Sequence, residues 1–222
     1  LRVIQTSLIL KMNPLKSIVI LISGKGSNMR AIIKSGIEYV RFTVISSHPE
    51  APGLAWAKAQ GIIAHVLKPS DYPNRRSYDQ ALAKLIDLST PDLVVLAGFM
   101  RILSPEFCEH YQNRMLNIHP SLLPAFPGLN THQAALDAGC KITGCTVHFV
   151  TAQLDAGPIV IQAAVPILEH DTPTSLANRV LAAEHQIYPI AIKAFMKEKL
   201  KIDQHKVIIQ SKTTDKNNTL IN

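Results

Sequence analysis

The chain has 222 residues, 47% of them hydrophobic and 18% charged, and 23 Lys and Arg against 16 Asp and Glu give a formal charge of +7. That composition excludes a disordered chain, no apolar run approaches the roughly 18 to 20 residues of a membrane span, and the length suits one large domain. The positive balance fits a small anionic substrate; with aromatics at 5% and the basic residues scattered, apart from Lys197, Lys199, Lys201, Lys206 and Lys212, no base-stacking surface and no nucleic-acid or membrane partner is expected.

In chain order, residues 1–11 precede Met12 and carry Arg2, Gln5, Thr6 and Ser7 with no small-residue cleavage pattern. They make a poor signal peptide and read as an N-terminal extension without a catalytic role, so a cytoplasmic location is expected. Ser17–Ser23, Phe42–Ser46, Ile62–Leu67 and Asp92–Ala97 are short runs rich in Val and Ile, which read as strands. Between them, 28–34, 51–60 and 75–88 have helical character, with Tyr78, Leu82, Leu85 and Ile86 at helical spacing in the last. This alternation predicts an α/β fold: a Rossmann-like open, mostly parallel twisted sheet with helices on both faces. Arg114–Ile118 adds a strand, while Thr146–Val150 and Ile159–Val165, joined only by a loop, predict a mixed C-terminal part. The stretch 174–197 reads as a closing helix capped by Thr172 or Thr174, with Pro189 expected to kink it. Without repeats or low-complexity linkers, the expected division is an extension at 1–11, a single domain at 12–200 and a partly frayed tail at 201–222.

Cys108, Cys140 and Cys145 have no Cys-x-x-Cys spacing and read as free thiols rather than a disulfide frame or thiolate zinc site. The turn Ser23-Gly24-Lys25-Gly26-Ser27-Asn28 joins the first strand to the first helix. Its glycines let backbone approach a phosphate where a helix N-terminus favours an anion, although a plain tight turn would use the same residues. It is neither a dinucleotide fingerprint nor a nucleoside-triphosphate loop, since the third glycine and the Gly-Lys-Ser/Thr order are missing.

Asn117 and His119 lie two apart at the end of an apolar run, so they project to one side, and Pro120 and Pro124 force the chain beyond them into a stiff irregular loop. Asp155 stands on a later loop, before Gly157 and Pro158. Singly, His119 would suit a satisfied structural histidine and Asp155 a turn cap. Together an amide, an imidazole and a carboxylate are what a developing oxyanion requires, which points to acyl chemistry. His132 and His148 read as structural or supporting. A metal site from His119, His148, Asp155 and Glu184 lacks zinc-type ligand spacing, and no metal is expected.

These residues carry a resemblance over about Met12 to Leu200. Ser23–Asn28, Leu96–Pro105, Asn117–Pro124, Thr146–Val150, Leu154–Pro158 and Glu184–Pro189 together resemble the phosphoribosylglycinamide formyltransferase family, folate-dependent enzymes of purine biosynthesis. The resemblance implies transfer of the formyl group of 10-formyltetrahydrofolate to the amine of phosphoribosylglycinamide. It implies that Gly26, Ser27 and Asn28 hold the ribose phosphate and that Leu181, Ala182, Ala183 and Glu184 meet the glycinamide. Met100, Arg101, Ile102 and Leu103, with Thr151, Ala152, Gln153, Leu154, Asp155 and Asn117, would receive the folate, and Arg75 would lie near its benzoylglutamate end. Asn117, His119 and Asp155 would be catalytic, in a monomer or homodimer acting on small molecules. Ala156, where the family usually has glycine, and Asn130, where histidine is common, are departures. Methionyl-tRNA formyltransferase and formyltetrahydrofolate hydrolase share the Asn-x-His and distant Asp pattern, but they are expected to carry further domains for which 222 residues leave no room. A non-catalytic phosphometabolite- or nucleic-acid-binding domain would keep the glycine turn without needing Asn117, His119 and Asp155 to converge.

Overall fold

The computed structural model describes residues 15–210; the expected extension at 1–11 and the end of the expected tail, 211–222, lie outside the described residues. Strands β1 (Lys16–Ile22), β2 (Val40–Ser46), β3 (Ile63–Val66), β4 (Leu93–Leu96) and β5 (Met115–His119) alternate with helices α1 (Ser27–Lys34), α2 (Pro52–Ala59), α3 (Arg75–Asp87) and α4 (Pro105–His110). Helix α5 (Thr131–Asp137), β6 (Ile142–Phe149), β7 (Ile159–Pro166), α6 (Pro173–Met196), β8 (Leu200–Asp203) and β9 (Lys206–Ile209) complete one nine-stranded sheet of order β3-β2-β1-β4-β5-β6-β7-β9-β8. The first five strands are parallel, and β6 runs antiparallel to both β5 and β7. The expected fold, including its mixed C-terminal part, is therefore the observed one.

Strands buried on both faces have no polar face to alternate, which is why β1 and β4 read as unbroken Val/Ile/Leu runs. One face carries Ile18, Ile20 and Ile22 of β1 with Leu116 and Ile118 of β5 under α1 and α6. The other carries Val19, Leu21 and Met115 under Tyr78, Leu82 and Ile86 of α3 and Phe107 of α4. Burying each such side chain contributes about 1.5–3 kcal/mol. Helix α6 starts with a reciprocal cap between Thr172 and Ser175, continues through Pro189, and is pinned by the Tyr188 hydroxyl, 2.9 Å from the carbonyls of both Leu96 and Leu116.

Residues 200–209 correct the sequence reading. A tail was expected from 201; instead β8 and β9 form an antiparallel hairpin, and β9 adds to β7 at Ile159 and Lys206. Leu200, Ile202 and Val207 pack on the core while the lysines face outward. Helix α4, capped by Ser104 with Pro105 in its first turn, was also not anticipated.

The strand order changes direction at β1, flanked by β2 on one side and β4 on the other. In an open α/β sheet the crevice outside the strand ends at such a point receives ligands, and the turn at 23–28 leaves β1 there.

Candidate active site

On the face covered by α3 and α4, the helices reach as far as Met115 of β5. Beyond it, Asn117 and His119 continue the same side of the strand, beneath loops instead of a helix. The antiparallel register sets Asn117 opposite His148 and His119 opposite Thr146. His148 Nδ1 lies 3.0 Å from the Phe149 carbonyl, an acceptor only, so that nitrogen carries the proton and Nε2 is left to accept from the Asn117 amide at 3.2 Å. Burial is the main cause holding His148 below the ordinary histidine value, which keeps it in this neutral form.

His119 is only 5% exposed. Its Nε2 donates to the Phe126 carbonyl at 3.0 Å and its Nδ1 lies 3.4 Å from Asp155 Oδ2. Nε2 carries a proton, since its partner can only accept, and Nδ1 faces the carboxylate. The Phe126 carbonyl is delivered by the loop after His119, which contains Pro120 and Pro124 and places Phe126 in left-handed backbone, φ 51°.

Asp155 also sits in left-handed backbone, φ 50°, and accepts from the Gly128 amide at 2.9 Å, with His148 Nε2 3.8 Å from its other oxygen. The structure thus brings Asn117, His119 and Asp155 into one buried cluster, with His148 as a fourth member. Nothing local in the sequence marks His148, because its contact depends on pairing between β5 and β6. Ala156 is outside the set of left-handed residues, so the loop accommodates its methyl group; the left-handed conformation falls on Asp155 instead. Gly157 has no such freedom, since a Cβ there would overlap the Phe149 carbonyl.

Between β1 and α1, Gly26 occupies the cap of α1 at φ 67° and supplies no side-chain cap, so the first amides of the helix are left open. A Cβ on Gly26 would stand 3.0 Å from Met29 Cε and 3.1 Å from Gly53 Cα. The helix begins at Ser27. Asn28 turns its side chain away from the open amides and donates to Glu184 Oε2 at 2.7 Å, joining the turn to α6. Burial raises the Glu184 carboxyl above its ordinary value and the Asn28 amide partly offsets this. Leu181 and Ala183 are half-buried and Ala182 exposed on the preceding turn of α6.

The two segments read as folate-binding are largely exposed. Met100 is 74% and Ile102 60% exposed after β4, and Thr151, Ala152, Gln153 and Leu154 are exposed after β6. Leu103 is buried in the core, and the Arg101 guanidinium lies over the Tyr78 ring at 4.7 Å. Arg75 is exposed on the first turn of α3, with no hydrogen bond or ion pair to either loop among the described residues. Ser23 links the first of these loops to the glycine turn: its Oγ accepts from the Met100 amide at 3.0 Å and from the Ser47 hydroxyl at 2.8 Å.

Comparison with known proteins places this geometry. Residues 16–192 match a family model described as formyl transferase. The chain is 47% identical over 193 residues to phosphoribosylglycinamide formyltransferase of Escherichia coli K12, covering 85% of this chain and 91% of that one. It is 45% identical over 180 residues to a segment comprising 18% of the human trifunctional purine biosynthetic protein adenosine-3, covering 79% of this chain. Among solved structures, glycinamide ribonucleotide transformylase 1 from Symbiobacterium toebii superposes with a TM-score of 0.86 at 47% identity, over 89% of this chain and 95% of that one.

Proposed function

Because the chain belongs to the formyl transferase family, we propose that it transfers the formyl group of 10-formyltetrahydrofolate to the amine of N1-(5-phospho-D-ribosyl)glycinamide in purine biosynthesis. The observation that carries the mechanism is the buried set Asn117, His119, Asp155 and His148. The acceptor's amine nitrogen attacks the formyl carbon, giving a tetrahedral centre whose oxygen carries the new negative charge. Asn117 has one amide proton engaged by His148 and one left to meet that oxygen, and His119, anchored through Nε2 on the Phe126 carbonyl, presents its Nδ1 side as the second polar group. As the bond from carbon to the folate nitrogen breaks, the proton lost by the amine passes to that nitrogen, with Asp155 orienting the His119 ring and, through water, assisting the transfer. Proton transfer of this kind is typically worth about 10²- to 10⁴-fold.

The open amides of Gly26, Ser27 and Asn28 fit the ribose phosphate, and Glu184, with Leu181 to Ala183 beside it, fits the glycinamide end. The exposed loops at 100–103 and 151–155 fit the folate, with Arg75 toward its acidic end. We read the catalysis as metal-independent, in keeping with a donor set in which each ring nitrogen of His119 and His148 already faces a protein group. We read residues 12–200, with the hairpin of β8 and β9 added to their sheet, as the catalytic domain of a cytoplasmic enzyme, monomeric or homodimeric, working on small molecules; among the described residues no helix is long and apolar enough to cross a membrane.

The test is a formyl-transfer assay with glycinamide ribonucleotide and 10-formyltetrahydrofolate, with and without a chelator. Turnover undiminished by the chelator is expected. Activity lost on chelation and restored by a divalent metal would overturn the mechanism, and hydrolysis of the folate without acceptor formylation would overturn the function.

A further inference from the structure

Beside the glycine turn lies an open groove of about 620 Å³ lined by Lys25, Ser27, Arg30, Lys34, Pro52 and His185, with Ala31 at its base. Ser27, Arg30 and Lys34 follow one another at i, i+3 and i+7, so they form one face of α1 running about 10 Å from the turn. No carboxylate lines the groove, and none of Lys25, Arg30 and Lys34 makes an ion pair among the described residues. Among the described residues Arg30 Nε and His185 Nε2 are buried without a hydrogen-bond partner, and the Arg30 fork makes one long polar contact, 3.5 Å, to the Pro52 carbonyl. Trp56 lies against this face, with the Arg30 guanidinium 5.4 Å and the Lys34 ammonium 5.9 Å from its ring.

This face gathers three cations and a histidine around an open groove, and its first residue, Ser27, belongs to the turn. We propose that the groove is a second phosphate subsite contiguous with the first, so that ligands carrying two linked phosphates bind across turn and groove in competition with the singly phosphorylated acceptor. This rests on the reading of the turn as the acceptor's phosphate cradle. One phosphate sits on the helix amides; the next, carried past Ser27, meets Lys25 and Arg30, whose fork matches phosphate geometry.

Trp56 is the only tryptophan in the chain and reports on the site directly. The full-length protein, without folate, is titrated with inorganic phosphate and with inorganic diphosphate while Trp56 fluorescence is followed. Diphosphate is expected to bind about tenfold more tightly or better, the gain of adding cation contacts to a second phosphate, and phosphate or the acceptor should displace it. Because Arg30 itself lies on the indole, variants are read by calorimetry: Arg30→Gln with Lys34→Gln should erase the preference for diphosphate while leaving phosphate binding within about twofold. Lys34→Gln alone, at an exposed position, provides a variant whose folding is not at issue and should remove part of the preference. Equal affinity for the two anions, diphosphate that phosphate cannot displace, or a preference that survives the double substitution would each overturn the proposal. None of these measurements involves turnover, so a failure of the formyl-transfer assay is read separately.

Discussion

Asn117 has two amide protons, and neutral His148 takes one of them. An oxyanion donor acts only as charge develops, so Asn117→Ala or His119→Ala should lower kcat by on the order of 10² or more, with dissociation constants for both substrates changed much less. Single-turnover rates beside equilibrium binding check this; equal losses in rate and in binding would count against the role. Asp155→Asn keeps the shape and the bond to the Gly128 amide but removes the charge opposite His119. It should lower the rate by roughly 10²-fold with binding of both substrates changed much less, and an unchanged rate would make Asp155 a turn residue only. Glu184 makes a prediction of the opposite kind. Its carboxyl holds a proton more tightly in the folded chain than unfolded, so ionisation subtracts stability as the pH rises from about 4.5 through the folded value. Glu184→Gln, which keeps an oxygen for Asn28, should therefore be more stable than the parent in urea at neutral pH, with the advantage disappearing below about pH 4.5, while acceptor binding weakens.

At the scale of elements, the glycine turn depends on backbone reaching places where a side chain cannot follow. Gly26→Val puts a β-branched residue at φ 67° against Met29 and Gly53, so acceptor binding should fall while folate binding is nearly intact. Equal loss of both, measured by titration, would signal misfolding instead. The elements differ in how far the sequence revealed them, for physical reasons. Strands β1, β4 and β5 were legible because burial leaves apolar runs with little else to explain them, β2 and the half-exposed edge strand β3 through their Val and Ile, and the start of α6 was legible in Thr172. The hairpin of β8 and β9 was not, because its strands are short and half-exposed, and its lysines occupy the outward positions that an edge strand favours. The positions of Asn117, His119 and Asp155 could be singled out by residue type, whereas the part played by His148 depends on the register between β5 and β6. The cationic groove escaped for the same reason: Lys25 and His185 meet only once α6 has packed beside α1.

For the molecule as a whole, the loops proposed to meet the two substrates hang from a sheet whose central strands are buried, so binding would draw on the loops and leave the core as it is. Ser23 is where the loops touch, its hydroxyl oxygen taking both the Met100 amide and the Ser47 hydroxyl while its own backbone donates to the Gly98 carbonyl. Ser23 thus ties the turn proposed to hold the acceptor's phosphate to the segment proposed to receive the folate. Such sharing has a thermodynamic signature: whatever factor one substrate applies to the affinity of its partner, the partner must return. Measured with a non-reactive folate, that factor should differ from one in the parent enzyme and collapse to one in Ser23→Ala, which would make a single hydroxyl group the seat of cooperativity between the two ligands.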